Sequence, residues 1–325
     1  MKAEILKELR TRGDFVSGQE LCEKLGVSRT AVWKGIQKLR GEGYEIEAVQ
    51  NRGYRLAGMA DVLNQDELES LRKTAWIGQE IYYFDVTDST NIQAKRLAEE
   101  GSVHGTYVVA DRQEAGRGRR GRGWDSPANS GIFMTLLLKP QFAPQKASML
   151  TLVAAMAVTR AIRELFHLDV QIKWPNDIVL NGKKICGILT EMNSEIDTIH
   201  YVVVGIGINV TNEAFPPEIA DTATSLFQES GKRIHRADLI EAIWEWFEVY
   251  YADFTAQGDL SGIREEYNSY LANRDRKVRV LDPKDPFDGV AKGIDAEGEL
   301  LVETEQGMEK VSSGEVSVRG IYGYV

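Results

Sequence analysis

Between Lys2 and Arg40, apolar residues recur at helical spacing in three short runs. Ile5, Leu6 and Leu9 mark a helix over residues 2–11. Ser17-Gly18-Gln19-Glu20 has the capping-box form, Ser at the N-cap and Glu three residues on. It opens a second helix, with Leu21 and Leu25 inward and Gly26 at its end. Ser28 is a good N-cap for a third helix, Arg29 to Arg40, striped by Val32, Ile36 and Leu39 and closed by Gly41 and Gly43. The period then falls to two. Tyr44 to Val49 alternates and Asn51 to Leu56 alternates back, which predicts a small hairpin. Helix, Gly-containing turn, helix and hairpin at this spacing form the winged helix-turn-helix pattern.

Residues 57–78 read as a linker with a short helix around Gln65 to Lys73. A larger domain follows. Ile81 to Val86 predicts a strand, and the capping residues Asp88-Ser89-Thr90-Asn91 open a helix that ends at Gly101. Strands are predicted at Gly105–Ala110, at the nearly all-apolar and therefore buried Ile132–Leu138, at Val170–Lys173 and at Tyr201–Ile208. Asn181-Gly182 is a type I′ hairpin signal joining Ile178–Leu180 to Ile185–Met192. Gln145 to Phe166 predicts a long helix. So does Ala237 to Phe254, whose aromatics (Trp244, Trp246, Phe247, Tyr250, Tyr251, Phe254) lie mostly at core spacing; Glu265 to Leu271 predicts a last one. From Lys277 the pattern changes to short β segments punctuated by turns such as Asp282-Pro283, a small all-β barrel. The expected fold is therefore α+β and multidomain. It has a winged helix-turn-helix with linker (1–64), a central α/β mixed-sheet domain (65–274) and a C-terminal β-barrel (275–325).

At 325 residues, 43% hydrophobic and 27% charged, the chain has the make-up of an ordinary globular protein. No apolar run reaches membrane-spanning length and none follows Met1 as a leader would, so a cytoplasmic location without membrane partners is expected. Cys22 and Cys186 are far apart and read as buried thiols; His104, His167, His200 and His235 show no metal spacing. The net charge is −10, yet residues 1–55 carry 11 Lys/Arg against 8 Asp/Glu. That asymmetry suggests an N-terminal module touching a polyanion. The polar sides of the third helix offer Ser28, Arg29, Thr30, Trp33, Lys34, Gln37 and Lys38, and the hairpin adds Arg52; such residues reach phosphates or base edges of DNA. A packing module with no DNA role is the alternative, which the basic face disfavours. Helix-turn-helix proteins commonly bind as dimers.

The chemistry centres on Gly116 to Gly123, four glycines alternating with four arginines. Glycine eases ordering of backbone around a ligand, and arginine supplies rigid charged forks for phosphate and carboxylate oxygens. The run matches Gly-x-Gly-x-x-Gly, but a dinucleotide fingerprint needs a helix to begin inside it. Here Trp124 to Gly131 is turn-rich coil. A solvated basic loop and a phosphate-binding lid both remain open on composition alone. Other polar clusters sit at predicted strand ends: Ser89-Thr90-Asn91, Gln113, Lys173-Trp174-Pro175-Asn176-Asp177, Lys183-Lys184 and Asn209. Neither Gly-x-Ser-x-Gly nor a plausible Cys/His pair occurs. This inventory suits a neutral polar head group, a carboxylate and a triphosphate, and hence acyl-adenylate formation by positioning and charge neutralisation.

Gly116-Arg117-Gly118-Arg119-Arg120-Gly121, Lys173-Trp174-Pro175-Asn176-Asp177, Asp88-Ser89-Thr90-Asn91 and Gly205-Ile206-Gly207-Ile208-Asn209 stand in the order and spacing of biotin–protein ligases. With its winged-helix front end, essentially the whole chain resembles the bifunctional bacterial biotin–protein ligase and biotin operon repressor family. The resemblance implies a central domain of the biotin/lipoate ligase type and an SH3-like C-terminal barrel. It implies that Ser89, Thr90, Asn91 and Gln113, with backbone from Gly118, hold the biotin head. Arg117 and Arg119 would keep the loop over biotin and the phosphates, joined at the nucleotide by Arg120 and Arg122. Lys184 would meet the biotin carboxylate and acyl phosphate, leaving Lys183 solvated; Trp124 would stack on adenine and Asn209 hydrogen-bond it. Lys173, Asn176 and Asp177 would face phosphates, ribose and Mg2+, with Asp177 the candidate metal ligand and Trp174-Pro175 a rigid strand end. Lys184, Arg119 and Lys173 would be the catalytic set.

The implied reaction makes biotinyl-5′-AMP from biotin and MgATP, then biotinylates one lysine of the biotin carboxyl carrier protein of acetyl-CoA carboxylase or of other biotin-dependent carboxylases. The adenylate would also be a corepressor, favouring a homodimer on operator DNA of biotin synthesis or uptake genes. The acceptor and the second protomer would compete for one surface. Rival readings are a lipoate or octanoate ligase of the same fold, a ligand-sensing repressor without chemistry, and a ligase whose N-terminal module no longer binds DNA.

Overall fold

The computed structural model describes every residue except 59, 60, 283, 284, 315 and 321–323. Two linker positions and Pro283 of the Asp282-Pro283 turn therefore lie outside the described residues. The chain divides into two compact units, Met1–Lys73 with Ile234–Glu241, and Thr74–Arg233 with Ala242–Val325.

In the first unit α1 (Lys2–Arg12), α2 (Gly18–Leu25) and α3 (Arg29–Gly41) precede the antiparallel wing β1 (Ile46–Val49) and β2 (Gly53–Leu56). The caps act as their sequence predicts: Ser17 Oγ accepts from the Glu20 amide at 3.1 Å and Ser28 Oγ from the Ala31 amide at 3.2 Å. Ile5, Leu6, Leu9, Leu21, Val32, Ile36 and Leu39 form the core, and Cys22 lies half-buried against it rather than inside. The short helix expected to open the larger domain, α4 (Gln65–Leu71), belongs to this unit instead. The reason is Glu67. Its carboxylate is fully buried and receives the Arg10 guanidinium and, at 2.8 Å, the Tyr44 hydroxyl. A charge cannot be buried without such partners, so α4 is held to α1.

The second unit holds a seven-stranded mixed sheet of β3 (Ile81–Thr87), β4 (Tyr107–Gln113), β5 (Gly131–Leu138), β6 (Gln171–Lys173), β7 (Asp177–Leu180), β8 (Lys183–Ser194) and β9 (Ile199–Asn209). The spatial order is β3-β4-β5-β9-β8-β7-β6, with β3 and β4 parallel and the other pairs antiparallel. Helix α5 (Thr90–Glu99) makes the β3–β4 crossover, packing Ala94 and Ala98 on Val108, Leu137, Tyr201 and Val203. Every residue of β5 is buried, as its nearly all-apolar run predicts. Helix α6 begins at Met149, not Gln145, because Pro144 starts a separate 3-10 turn, Pro144–Lys146; it runs to Phe166. Asn181 and Gly182 take φ of 50° and 78°, as a type I′ turn demands. The short α7 (Leu226–Ser230) was not legible from periodicity.

Helix α8 (Arg236–Gln257) buries Trp244, Phe247, Tyr250 and Phe254. After α9 (Arg264–Tyr270), the C-terminal segment forms an antiparallel sheet of β10 (Lys277–Leu281), β11 (Phe287–Ile294), β12 (Leu300–Thr304), β13 (Gly307–Val311) and β14 (Ser317–Gly320). Its order is β13-β12-β11-β10-β14. Among the described residues it is a five-stranded antiparallel sheet in which no ladder joins β13 to β14. No described helix is long and apolar enough to cross a membrane.

Candidate functional site

The site begins where side chains are missing from the sheet. Alternation places Gly205, Gly207 and Asn209 of β9 on one face, the face that α5 covers further back at Tyr201 and Val203. The two glycines admit different tenants. A Cβ at Gly205 would overlap Asn91 Oδ1. Gly207 pairs with Gly187 on β8, and the Trp124 indole lies over that bare pair. A Cβ would stand 2.7 Å from Trp124 Cε2 at Gly207 and 2.9 Å from Cζ3 at Gly187.

A network at the start of α5 makes the polar end. Gln113 Oε1 accepts from the Thr90 amide at 2.8 Å, and Gln113 Nε2 donates to Ser126 Oγ at 2.9 Å. Thr135 Oγ1 lies 2.8 Å from Thr90 Oγ1 and donates to Asn91 Oδ1 at 2.7 Å. Asn91 Nδ2 donates to Glu191 at 2.8 Å. Asn91 is thus tied into the wall, while Ser89, also buried, leaves its hydroxyl uncommitted among these bonds. Sequence reasoning missed Thr135, Ser126 and Glu191. Thr135 had a signal, as the one polar residue in an otherwise apolar strand.

A bulge delivers Lys184. The β7–β8 register pairs Ile178 with Cys186 but Val179 with Lys184, leaving Ile185 as the extra residue. Regular alternation would put Lys184 on the face of buried Cys186. The bulge instead brings it beside Gly187, with Cε 3.1 Å from where a Cβ would stand. Lys184 Nζ then lies 2.6 Å from Asp177 Oδ1 and 5.2 Å from the Trp124 ring centroid. Lys183 is exposed, as expected.

Around Asp177 the charge is lopsided. Lys173 Nζ is 3.9 Å from Asp177 Oδ2, and both residues are buried. Burial, reinforced by Lys184, Arg319 and Arg119, pushes the Lys173 ammonium down to about 8 despite Asp177. Burial alone would raise the Asp177 carboxyl; Lys184 and Lys173 outweigh it and hold the group below its ordinary range. A buried surplus of positive charge is an anion site. Asp177, expected as a metal ligand, is here the counter-ion of two lysines and accepts from the Tyr324 hydroxyl at 2.5 Å. Among the described residues no three His, Cys, Asp or Glu side chains gather to hold a metal.

The Arg/Gly loop is a tight hairpin, closed by Gly118 N to Arg122 O at 2.7 Å and Trp124 N to Gly116 O at 2.9 Å. Its tip is one 3-10 turn, Arg119–Gly121, with Arg120 at φ 59°. No α-helix begins inside it, which excludes the dinucleotide fingerprint. Arg119 was expected over ligand. Its guanidinium donates to Asn176 Oδ1 at 3.0 Å and to the carbonyls of Ser313 and Gly314 at 2.7 and 2.6 Å. It fastens the hairpin to the segment before β14.

Two cavities result, of about 450 and 1130 Å3. The smaller takes in Ser89, Thr90, Gln113 and Arg117; the larger takes in Arg120, Arg122, Asp177 and Asn209. Gly118, Arg119, Trp124, Asn176 and Lys184 line both and form the wall between them. Lys173 lines neither but stands behind Asp177. The larger cavity also uses Asn212, Phe215, Ile219, Thr222 and Tyr324, all missed from sequence. The stretch 210–225 has no periodicity to read; it is fixed by Lys184 N to Thr222 O at 2.7 Å and Thr224 N to Lys184 O at 2.9 Å. Trp174 is buried, its Nε1 donating to Gly298 O at 3.0 Å, a structural role as expected.

In the first unit all eight candidate DNA contacts, Ser28, Arg29, Thr30, Trp33, Lys34, Gln37, Lys38 and Arg52, are exposed, Trp33 by 53%. The exposed tryptophan and lysines lie on the side of the helix away from the buried stripe of Val32, Ile36 and Leu39.

The signature of the biotin/lipoate A/B protein ligase family matches residues 83–209, that of a helix-turn-helix domain residues 2–55, and that of the biotin protein ligase C-terminal domain residues 275–319. The chain is 45% identical over 307 residues to the bifunctional ligase/repressor BirA of Bacillus subtilis, covering 94% of each. It is 31% identical over 313 residues to BirA of Escherichia coli, covering 96% of this chain and 95% of the other. Among solved structures it is similar to the biotin protein ligase of Aquifex aeolicus in complex with biotin and ATP, with a TM-score of 0.66 and 30% identity over 74% of this chain and 99% of that one.

Proposed function

The chain belongs to the biotin/lipoate A/B protein ligase family, on its branch of bifunctional ligase/repressors, and from that membership we infer a two-step biotin transfer at the paired cavities. Biotin enters the smaller cavity, its neutral head at Ser89, Thr90 and Gln113, its carboxylate toward Lys184. ATP enters the larger one, its phosphates toward Lys173, Lys184 and Arg119, its base toward Trp124 and Asn209. A carboxylate oxygen attacks the α-phosphorus and pyrophosphate leaves. The carrier lysine's amine then attacks the acyl carbon of biotinyl-5′-AMP and AMP leaves.

One observation carries this reading. Lys184, Arg119 and Trp124 stand on the wall common to both cavities, where an acid in one and a nucleotide in the other can meet. No enzyme nucleophile is used. Cys186, the nearest thiol, is fully buried, and burial pushes it well above its ordinary value. The chemistry is positioning and charge neutralisation. Magnesium would enter on the ATP phosphates and supply further neutralisation of their charge. Asp125 and Asp177 are the carboxylates lining the larger cavity among the described residues, and Asp177 is already matched by lysines, so a dedicated protein cage does not fit.

The winged helix-turn-helix makes the chain a repressor as well as a ligase. The adenylate is its corepressor, a homodimer on operator DNA its active form, a biotin carboxyl carrier protein its acceptor and the cytoplasm its location. The test is ATP–pyrophosphate exchange with biotin, lipoate and octanoate side by side. Biotin-dependent exchange is expected, falling at least a hundredfold in Lys184→Ala. Exchange with lipoate alone overturns the reading in favour of a lipoate ligase.

A further inference from the structure

The polar end of the smaller cavity is backed by two residues that line neither cavity, Thr135 and Glu191. Both are bonded to the network at the start of α5. Thr135 is fully buried and pairs with Gly205 across the β5–β9 ladder. The missing side chain of Gly205 leaves the room in which the Asn91 carboxamide meets Thr135. Glu191 is held on both oxygens, by Lys95 Nζ at 2.7 Å and by Asn91 Nδ2 at 2.8 Å. Lys95 and Asn91 stand one turn apart on α5. Burial alone would raise the Glu191 carboxyl; the bonds from Asn91 and Lys95 outweigh it and hold the group below its ordinary range.

Donor and acceptor chemistry fixes the direction of each proton in this network. A carboxylate and a carbonyl only accept. Asn91 faces two such groups, Glu191 Oε2 and, at 3.3 Å, Leu189 O, so its amide nitrogen lies on that side and its oxygen faces Thr135. That oxygen accepts in turn, and the single Thr135 proton goes to it at 2.7 Å. The 2.8 Å contact between the Thr135 and Thr90 hydroxyls must then carry the Thr90 proton. The other neighbour of that hydroxyl, Gln113 Oε1 at 3.2 Å, is also an acceptor, since it takes the Thr90 amide proton. Both directions open to the Thr90 proton lead into the protein, so lone pairs are what Thr90 offers the cavity. Gln113 Nε2 is the opposite case. One of its protons goes to Ser126 Oγ at 2.9 Å, and no bond among the described residues takes the other.

We propose that Thr135 and Glu191 are positioning residues for the head group: through Asn91 they keep the Thr90 proton turned into the protein, so that the cavity takes a head that donates an N–H to Thr90 and receives one from Gln113. A cyclic urea presents both groups side by side. A dithiolane or an alkyl end presents neither, and would leave Thr90 and Gln113 unpaired in a buried place. Without the Thr135 hydroxyl, the Thr90 proton keeps only its longer contact to Gln113 and can swing into the cavity, where it meets the N–H of the head. The proposal rests on the biotin reading above and concerns the head-group end of the site alone.

The experiment measures biotin Kd by titration calorimetry, and KM for ATP in ATP–pyrophosphate exchange at saturating biotin. It compares full-length wild type, Thr135→Val, Thr135→Ser, Glu191→Gln, Thr90→Val and the double variant Thr90→Val with Thr135→Val. Thr135→Val keeps the volume and drops the hydroxyl; biotin Kd should rise about tenfold, the size of one buried hydrogen bond. Thr135→Ser keeps the hydroxyl and should bind as wild type does. In Glu191→Gln, Lys95 holds the amide oxygen and the new NH2 group faces Asn91, so the carboxamide loses its anchor and Kd should again rise about tenfold. In the Thr90→Val background Thr135→Val should cost nothing further, because it acts through Thr90. Glu191→Gln serves in the same cycle should Thr135→Val fail to fold. KM for ATP in the Thr135 and Glu191 variants should stay at the wild-type value. Three outcomes overturn the proposal: a wild-type Kd in Thr135→Val or Glu191→Gln, an equal loss with and without the Thr90 hydroxyl, or a rise in KM for ATP that matches the loss in biotin affinity. A wild type that binds lipoate and not biotin would instead refute the underlying reading.

Discussion

Gly205 and Gly207 share one strand and one face, yet their substitution should fail in different ways. In Gly205→Ala the new methyl overlaps Asn91 Oδ1, so Asn91 must leave its place. It then gives up the bond from Thr135 at 2.7 Å and its own to Glu191 at 2.8 Å, both inside the fold. Overpacking costs about 1–3 kcal/mol and each lost buried hydrogen bond about 1 kcal/mol. The stiffer unfolded chain returns about 0.5–1 kcal/mol. The net is about 3 kcal/mol of stability, or a urea midpoint lowered by about 1 M. In Gly207→Ala the methyl meets the indole of Trp124, 2.7 Å from Cε2 and Nε1. The ring must move about 1 Å to reach ordinary contact. Trp124 is half-buried and its Nε1 has no partner among the described residues, so little stability is at stake. The ring is part of the wall between the cavities, however, and a misplacement of ~1 Å there costs about a hundredfold in rate. The assays are urea unfolding followed by far-UV circular dichroism, and ATP–pyrophosphate exchange. A wild-type midpoint for Gly205→Ala refutes the reasoning. So does a Gly207→Ala enzyme as unstable as its neighbour, or one with wild-type exchange.

Arg119→Ala removes the bonds to Asn176 and to the Ser313 and Gly314 carbonyls while leaving the sheet untouched. Adenylate should escape at least tenfold faster in a chase with unlabelled biotin at an unchanged unfolding midpoint; retention at the wild-type rate counts against the latch. Lys173, lowered to about 8 from 10.5, is charged below that pH and neutral above it. KM for ATP should therefore rise as pH climbs through about 8, toward tenfold per unit, and a flat profile contradicts the assignment. The same depression makes the unfolded chain the better proton binder between about 8 and 10.5, so Lys173 favours folding as pH rises there; the loss is not unfolding. Lys34→Ala and Lys38→Ala should each weaken DNA binding and lower the slope of log affinity against log salt by about 1, with ligation unchanged; an unaltered slope removes that lysine from the phosphate contacts.

What the sequence determined by itself was whatever depends on neighbours along the chain. Helices α1 to α3 followed from apolar spacing and the Ser17 and Ser28 caps, and the β7–β8 hairpin from Asn181-Gly182, because each is set by contacts within a few residues. The resemblance of four motifs to a known family brought the site's membership into view, and Ser89, Gln113, Asn176 and Lys184 do line joined cavities. What only the tertiary structure decided depends on neighbours across it. The bulge at Ile185 turns Lys184 from the Cys186 face to the Gly187 face, and a one-residue register change has no trace in composition. Glu67 claims α4 for the first unit because a buried carboxylate must be paired, and its partners Arg10 and Tyr44 lie far off in sequence. Tyr324 reaches Asp177 from 147 positions away, since sheet pairing and burial, not chain order, choose which charges meet.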